Sequence, residues 1–165
     1  MNARVPAAYL VTFGTYGTWV HGDARGSQHH SGARHGMARV SPGEAWERAE
    51  RRQMHQAPML LDRAARAVVE QVASEVCAHR GWVLLAANAR SNHVHVVVAS
   101  TSTPEDVLRT IKAWATRRLV ESGSVPGGRK VWGRHGSTLY LWTRDSVERA
   151  VWYVLYEQDD RAEWR

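Results

Sequence analysis

Residues 91–98 read SNHVHVVV, and this stretch is the strongest guide to the fold. Successive side chains of a β-strand point to opposite faces, so the even-numbered valines line one face and His93 and His95 lie on the other. β-Branched valines suit a pleated surface that packs on helices. The stretch therefore predicts a strand on which two imidazoles can share a metal ion or a phosphate. Two half-exposed polar residues on an open sheet face are the alternative.

The bulk composition predicts one globular domain over residues 1–165. Hydrophobic residues make up 44% of the 165, which is enough for a core. No apolar run approaches the roughly 20 residues of a membrane span, and the N-terminus does not read as a signal peptide. Cys77 is the single cysteine, which excludes an internal disulfide and a cysteine-based zinc site. A cytoplasmic location without membrane contact is therefore expected.

The chain is strongly basic, with a formal net charge of +6 and a sequence pI of about 10.1. A basic surface attracts polyanions, of which nucleic acid is the commonest. Nucleic acid is therefore the first partner to consider.

Periodicity and turn residues predict an α+β fold with the order β-α-β-β-α-β followed by a helix. The predicted elements begin with a strand at 7–13, a long loop at about 14–58, and a helix at 59–80 with Gly81 as its stop. Strands follow at 82–87 and 93–99. The next helix starts within Ser102–Asp106, where Pro104 stands early, and runs to about 120. Strand segments at 130–132 and 138–142 precede a last helix opened by Asp145 as cap. The segment GRHGS at 133–137 is expected to be a turn, which makes the region a hairpin or a strand with a kinked entry. This order is that of a ferredoxin-like or RRM-like antiparallel sheet with helices on one face. His93 and His95 would then lie on the open face.

The last helix carries two tyrosines in different positions. Its apolar stripe consists of Val147, Ala150, Val151 and Val154. Tyr153 flanks this stripe beside Glu157, while Tyr156 points away from it. Gln158 falls nearer the stripe. The pair of Tyr153 and Glu157 gains interest only if this helix lies over the histidine strand.

At this point the chain resembles a known family, the HUH single-tyrosine transposases of small bacterial insertion sequences and the REP-associated tyrosine transposases. The matching features are the strand HVHVVV with its preceding Ser-Asn, the first strand AYLVTF, the helix VLRTIKAWATRRL and the segment VWGRHGSTLYLWTRDSVERAVWYVLYEQ. The likeness covers most of residues 7–158 and is weakest in the 14–58 loop.

The resemblance implies a nuclease that cuts and rejoins single-stranded or hairpin DNA. His93 and His95 match the metal-binding histidines of the family, and Tyr153 matches its nucleophile. The family usually has Gln or Asn four residues after that tyrosine, whereas this chain has Glu157 there and Gln158 one residue later. Either side chain is therefore a candidate third ligand. Family members occur as monomers and as homodimers.

The residues themselves suit this chemistry. A phenol is a weak nucleophile at neutral pH, and a divalent cation can polarise a phosphate oxygen and stabilise the transition state. Two imidazoles with an amide or carboxylate oxygen suit Mg²⁺ or Mn²⁺ and leave positions for phosphate and water. Attack by Tyr153 would form a phosphotyrosine linkage that conserves bond energy for strand transfer.

Basic and aromatic side chains outside this group are candidate DNA contacts. Those in the long loop are Trp19, Arg25 and Arg34, and those elsewhere are Arg109, Lys112, Arg117, Arg118, Arg134 and His135. For the helix residues among them, a solvated basic face is the alternative.

Three other functions compete with the transposase reading. A histidine-triad hydrolase would need a third alternate histidine, where the chain has Val97. A non-catalytic RRM-like module would need aromatic residues on its central strands, where the chain has histidines and valines. A domesticated protein that binds DNA hairpins without cutting them stays open, because Glu157 departs from the family pattern.

Overall fold

The computed structural model describes residues 5–18, 51–52 and 54–157. Its elements in chain order are β1 Ala8–Thr15, α1 Arg63–Arg80, β2 Val83–Ala89, β3 His93–Ala99, α2 Pro104–Glu121, β4 Trp132–Leu141 and α3 Arg144–Tyr156. The four strands form one antiparallel sheet in the order β2-β3-β1-β4. The predicted fold class, an antiparallel α+β sheet with an extra C-terminal helix, is confirmed.

The main core lies between one face of the sheet and helices α1 and α2. Its fully buried side chains include Val94, Val96 and Val98 of β3, as the alternation predicted. Ile111, Ala115 and Leu119 of α2 pack against them. Both crossover helices therefore cover the valine face.

The opposite face is not open, because α3 packs on it. A second apolar cluster joins Val97 of β3 to Leu141 of β4 and to Ala150 and Val154 of α3. The expectation of an open histidine face is therefore wrong over part of its area. His95 is only 6% exposed, so one of the two histidines of β3 is nearly as buried as the valines.

Capping residues set the helix ends. Asp62 caps α1 by accepting from Ala65 N at 2.8 Å, and Gly81 ends it with a left-handed φ of 67°. The helix thus starts at Arg63 and not at Met59, because the Asp62 carboxylate satisfies the first free N–H groups. Gly81 as the stop is confirmed.

The cap of α3 is Thr143 and not Asp145 as predicted. Its backbone is extended, and its Oγ1 accepts from Ser146 N at 3.2 Å. The Ser146 hydroxyl accepts from Thr143 N at 3.1 Å, which completes a capping box, and it donates to Thr143 O at 2.7 Å. Because Thr143 and Ser146 form this cap, α3 starts at Arg144, before the predicted cap residue Asp145.

The predicted turn at GRHGS is wrong, because β4 runs through it as one strand. Its register against β1 shifts between Phe13 and Thr15. This irregularity agrees with the alternative prediction of a strand with a kinked entry. Gly136 is required by packing: a Cβ there would lie 2.6 Å from Thr12 O and would overlap the Leu108 side chain. The glycine lets α2 approach the sheet closely.

Strand β1 also extends to Thr15, so the predicted loop at 14–58 starts later than expected. Within the described residues, no helix is both long and apolar enough to cross a bilayer.

Candidate functional site

His95 stands in a polar row that crosses the sheet. In the strand register it lies opposite Thr12 of β1 on one side and Asn88 of β2 on the other. Its Nδ1 is 2.8 Å from Thr12 Oγ1. Since this hydroxyl comes from the neighbouring strand, it fixes the ring of a nearly buried histidine in one orientation.

His93 lies beside His95 on the same face of β3. The two ring centroids are 4.7 Å apart and the ring planes are nearly perpendicular, at 81°. Nδ1 of His93 is hydrogen bonded to Asn92 Oδ1, an oxygen that can only accept. Both imidazoles thus have Nδ1 held by a neighbouring oxygen, so a shared ligand would be met by Nε2 of each ring.

Helix α3 is held above this row at its C-terminal end. Asn88 Nδ2 donates to Val154 O at 2.9 Å, and Val154 is fully buried against the sheet. Because β2 supplies the donor and β3 carries the histidines, this bond fixes the last turn of α3 relative to His95.

Tyr153 reaches the histidines from that last turn. Its ring centroid is 5.6 Å from that of His95, at an interplanar angle of 78°. Tyr156 points elsewhere: it is 66% exposed against 40% for Tyr153, and its ring packs on Trp152 at 4.5 Å. Tertiary packing therefore brings one of the two tyrosines to the histidine pair.

Glu157 ends α3, and its backbone N–H donates to Tyr153 O at 3.2 Å. Among the residues that the structure describes, no three His, Cys, Asp or Glu side chains gather as a metal site would require. Glu157 is therefore not grouped with both histidines, and Gln158 lies outside the described residues. The ligand roles of these two side chains stay predictions.

The basic side chains of α2 lie away from the histidines, because this helix packs on the valine face. Arg109 pairs with Asp106 at 2.6 Å, and Arg118 with Glu75 at 2.8 Å. These arginines are thus engaged within the protein.

Lys112 also serves the fold. Its Nζ donates to Gly133 O at 3.0 Å and to His135 O at 3.1 Å, and it lies over the Phe13 ring. Burial lowers the pKa of Lys112 to about 8. This lysine fastens α2 to the irregular part of β4.

Other predicted DNA contacts are placed differently. Arg117, Arg134 and His135 are exposed. Trp19, Arg25 and Arg34 lie outside the described residues. The contacts of these six candidates with DNA, and those of Arg109, Lys112 and Arg118, stay predictions.

Two comparisons identify the chain's relatives. The family model described as "Transposase IS200 like" matches residues 46–144. The chain belongs to the IS200-like transposase family. The match spans the histidine strand and ends at the start of α3. The position of Tyr153 beside His95 is therefore an observation that does not depend on the family match. No curated protein matches this transposase.

Two solved structures are similar to this chain. A proposed transposase from Deinococcus radiodurans R1, in a crystal structure, is 11% identical, with 93% of this chain and 92% of that chain covered and a TM-score of 0.52. A REP-associated tyrosine transposase bound to a REP hairpin is 7% identical, with 93% and 68% covered and a TM-score of 0.45. At such identity the first similarity shows a shared fold.

The structure also adds residues to this transposase's site that sequence reasoning missed. They are Thr12, Asn88 and Asn92. Asn92 was visible as the residue before the histidine strand, but its contact was not. Thr12 and Asn88 come from other strands, and only the sheet register shows that they lie beside His95.

Proposed function

We propose that this transposase is a metal-dependent nuclease and strand transferase that acts on single-stranded, hairpin-containing DNA through a phosphotyrosine intermediate. The observation that carries the proposal is the contact of Tyr153 with His95 across the interface of α3 and the sheet. Membership of the IS200-like family supports the class of reaction. The preference for hairpins follows from the family resemblance.

Tyr153 is the proposed nucleophile. Its phenolic oxygen forms a bond to a backbone phosphorus, and the bond from that phosphorus to the 3′-oxygen breaks. The phenolic proton is lost, and the departing 3′-oxygen gains a proton to become a free hydroxyl. Attack by another 3′-hydroxyl reverses the step, regenerates Tyr153 and joins two strands without an external energy source.

His93 and His95 are the proposed ligands of Mg²⁺ or Mn²⁺. The donor set fits, because two adjacent imidazoles with Nδ1 bonded to oxygen are the usual arrangement for coordination through Nε2. Glu157 or Gln158 would supply a further oxygen. The bound cation would polarise a phosphate oxygen and stabilise the charge of the transition state. Thr12 and Asn92 keep the two rings oriented.

Single-stranded DNA is the proposed substrate, and the net charge of +6 favours it electrostatically. Binding should weaken steeply as salt rises, because arginine–phosphate contacts release counterions. We propose no oligomeric state beyond monomer or homodimer.

The test is a denaturing gel with labelled hairpin-containing strands and Mn²⁺. Tyr153→Phe should bind DNA but form no covalent adduct, because only the hydroxyl is lost. Tyr140→Phe is the matched control. The exposed fraction of Tyr140, 42%, is similar to the 40% of Tyr153, but Tyr140 belongs to β4 and contacts Tyr9 of the valine face. If Tyr153→Phe still formed the adduct and Tyr156→Phe did not, the nucleophile would be Tyr156 and not Tyr153.

Metal binding has a separate readout in calorimetric titration with Mn²⁺. His93→Ala should reduce the affinity at least tenfold without changing the melting temperature, because His93 is only half-buried. His95 is less suitable for truncation, since its nearly buried ring partners Thr12. Unchanged Mn²⁺ affinity in His93→Ala would refute the metal site.

The second candidate is a domesticated protein that binds hairpins without cutting them. Glu157 favours it, because it stands where the family usually has an amide. No adduct from the wild-type chain on any hairpin strand, together with tight binding, would establish this alternative.

A further inference from the structure

The outer side of α3 exposes aromatic rings instead of burying them. Trp152 is 58% exposed, and Tyr156 packs against it with a centroid distance of 4.5 Å. Leu155 is exposed on the same turn. A cluster of large apolar side chains on a surface helix is unusual and marks a contact site.

Trp152 of this pair lines a cavity of about 500 Å³. The cavity is lined by Glu148, Arg149, Trp152, Tyr153 and Glu157. Its volume is in the range of pockets for small ligands, about 300–1,000 Å³. Tyr153 lines the cavity and also contacts His95, so the cavity and the histidine site share this residue.

We propose that Trp152 is a stacking platform for one unpaired nucleobase of the substrate strand, next to the phosphate that Tyr153 attacks. The proposal rests on the proposed function, because it assigns the cavity to the same DNA. Arg149 would meet an adjoining phosphate, and Tyr156 would support the Trp152 ring from behind. The subsite thus positions the strand for the reaction.

The lining of the cavity favours a base over the backbone. Glu148 disfavours a phosphate on its side of the cavity, but a carboxylate oxygen can accept from the N–H groups on a base edge. Glu148 is itself paired with Arg144 at 2.7 Å, which leaves Arg149 as the cation that lines the cavity. One aromatic face, a carboxylate and one cation match a nucleotide better than an apolar protein surface.

The experiment measures binding of the full chain to two strands in the absence of divalent metal. One strand is oligodeoxyadenylate of about 20 nucleotides, and the other is an abasic strand with the same number of phosphates. Stacking on an aromatic residue contributes about 1–3 kcal/mol per base, so Trp152→Ala should weaken oligodeoxyadenylate binding at least about fivefold. Binding of the abasic strand should stay the same.

Two variants control for other effects. Trp142→Ala removes a tryptophan of similar exposure, 43%, that stacks on Tyr140 outside the cavity, and it should leave both affinities unchanged. Trp152→Phe keeps an aromatic face and should restore most of the oligodeoxyadenylate affinity.

Three results would overturn the subsite. The first is oligodeoxyadenylate binding by Trp152→Ala that equals the binding of the wild type. The second is an equal loss of affinity for the abasic strand, which would assign the effect to phosphates or folding. Sedimentation showing that Trp152→Ala dissociates a wild-type dimer would make the patch an interface between two copies.

The outcomes also separate this proposal from the proposed function. A base-dependent loss in Trp152→Ala, combined with no covalent adduct in the wild type, would leave the subsite in place and refute the nuclease. An adduct that forms normally while Trp152→Ala shows no base-dependent loss would refute the subsite alone.

Discussion

Gly136→Ala is expected to destabilise the protein although the residue lies in an exposed part of an edge strand. The added Cβ would lie 2.6 Å from Thr12 O, whereas a relaxed contact of carbon with carbonyl oxygen is about 3.3 Å or longer. The difference is about 0.7 Å, so the backbone of β1 or β4 must move. Overpacking of this kind costs about 1–3 kcal/mol.

A compensating term reduces this cost. Alanine restricts the unfolded chain more than glycine does and stabilises a protein by about 0.4–1 kcal/mol where the backbone can accept it. The net expectation for Gly136→Ala is therefore a loss of about 1–2 kcal/mol in the free energy of unfolding. For a chain of this length, that corresponds to a melting temperature lower by about 2–8 °C.

Gly133→Ala is the matched control in the same strand. Its added Cβ would lie 3.4 Å from Gly14 O, at the edge of ordinary van der Waals contact. Its melting temperature should therefore stay near that of the wild type. The assay is thermal unfolding followed by circular dichroism, with urea unfolding as a second measure.

The Leu108→Ala background divides the effect into two parts. Leu108 is a flexible side chain that the new Cβ would also overlap, whereas Thr12 O is backbone. Gly136→Ala should cost less in this background but still destabilise. A Gly136→Ala variant as stable as Gly133→Ala would refute the packing argument.

Three further perturbations test other contacts. Thr143→Ala should lower stability by about 1 kcal/mol in urea unfolding, and Asp145→Ala by much less, because Thr143 is the cap of α3. Burial lowers the pKa of Lys112 to about 8, so the folded chain releases this proton at a lower pH than the unfolded chain, whose lysines titrate near 10.4. The free energy of unfolding, relative to that of Lys112→Met, should therefore rise between about pH 8 and 10. Parallel pH profiles of the two proteins would contradict this. Thr12→Val removes the hydroxyl that holds His95 Nδ1 and should weaken Mn²⁺ binding about tenfold in calorimetry, while equal affinity would show that the hydroxyl is dispensable.

The sequence by itself determined the elements whose signals are local. Alternation of valine with histidine predicted β3 and its two faces, and the structure confirms both. The segment Ser102–Asp106 predicted the start of α2, and Gly81 predicted the end of α1. Such signals succeed because alternation, capping and left-handed backbone conformations depend on neighbouring residues alone.

The tertiary structure decided everything that depends on which surfaces meet. Gly136 was interpreted as a turn residue, because the sequence does not show whether a glycine is needed for close packing or for a positive φ. The histidine face was expected to be open, since the sequence does not show where α3 packs. Only the sheet register brings Thr12 and Asn88 to His95, and only the packing of Val154 turns Tyr153, and not Tyr156, toward the histidine pair. These contacts join residues far apart in the chain, and a local pattern carries no information about them.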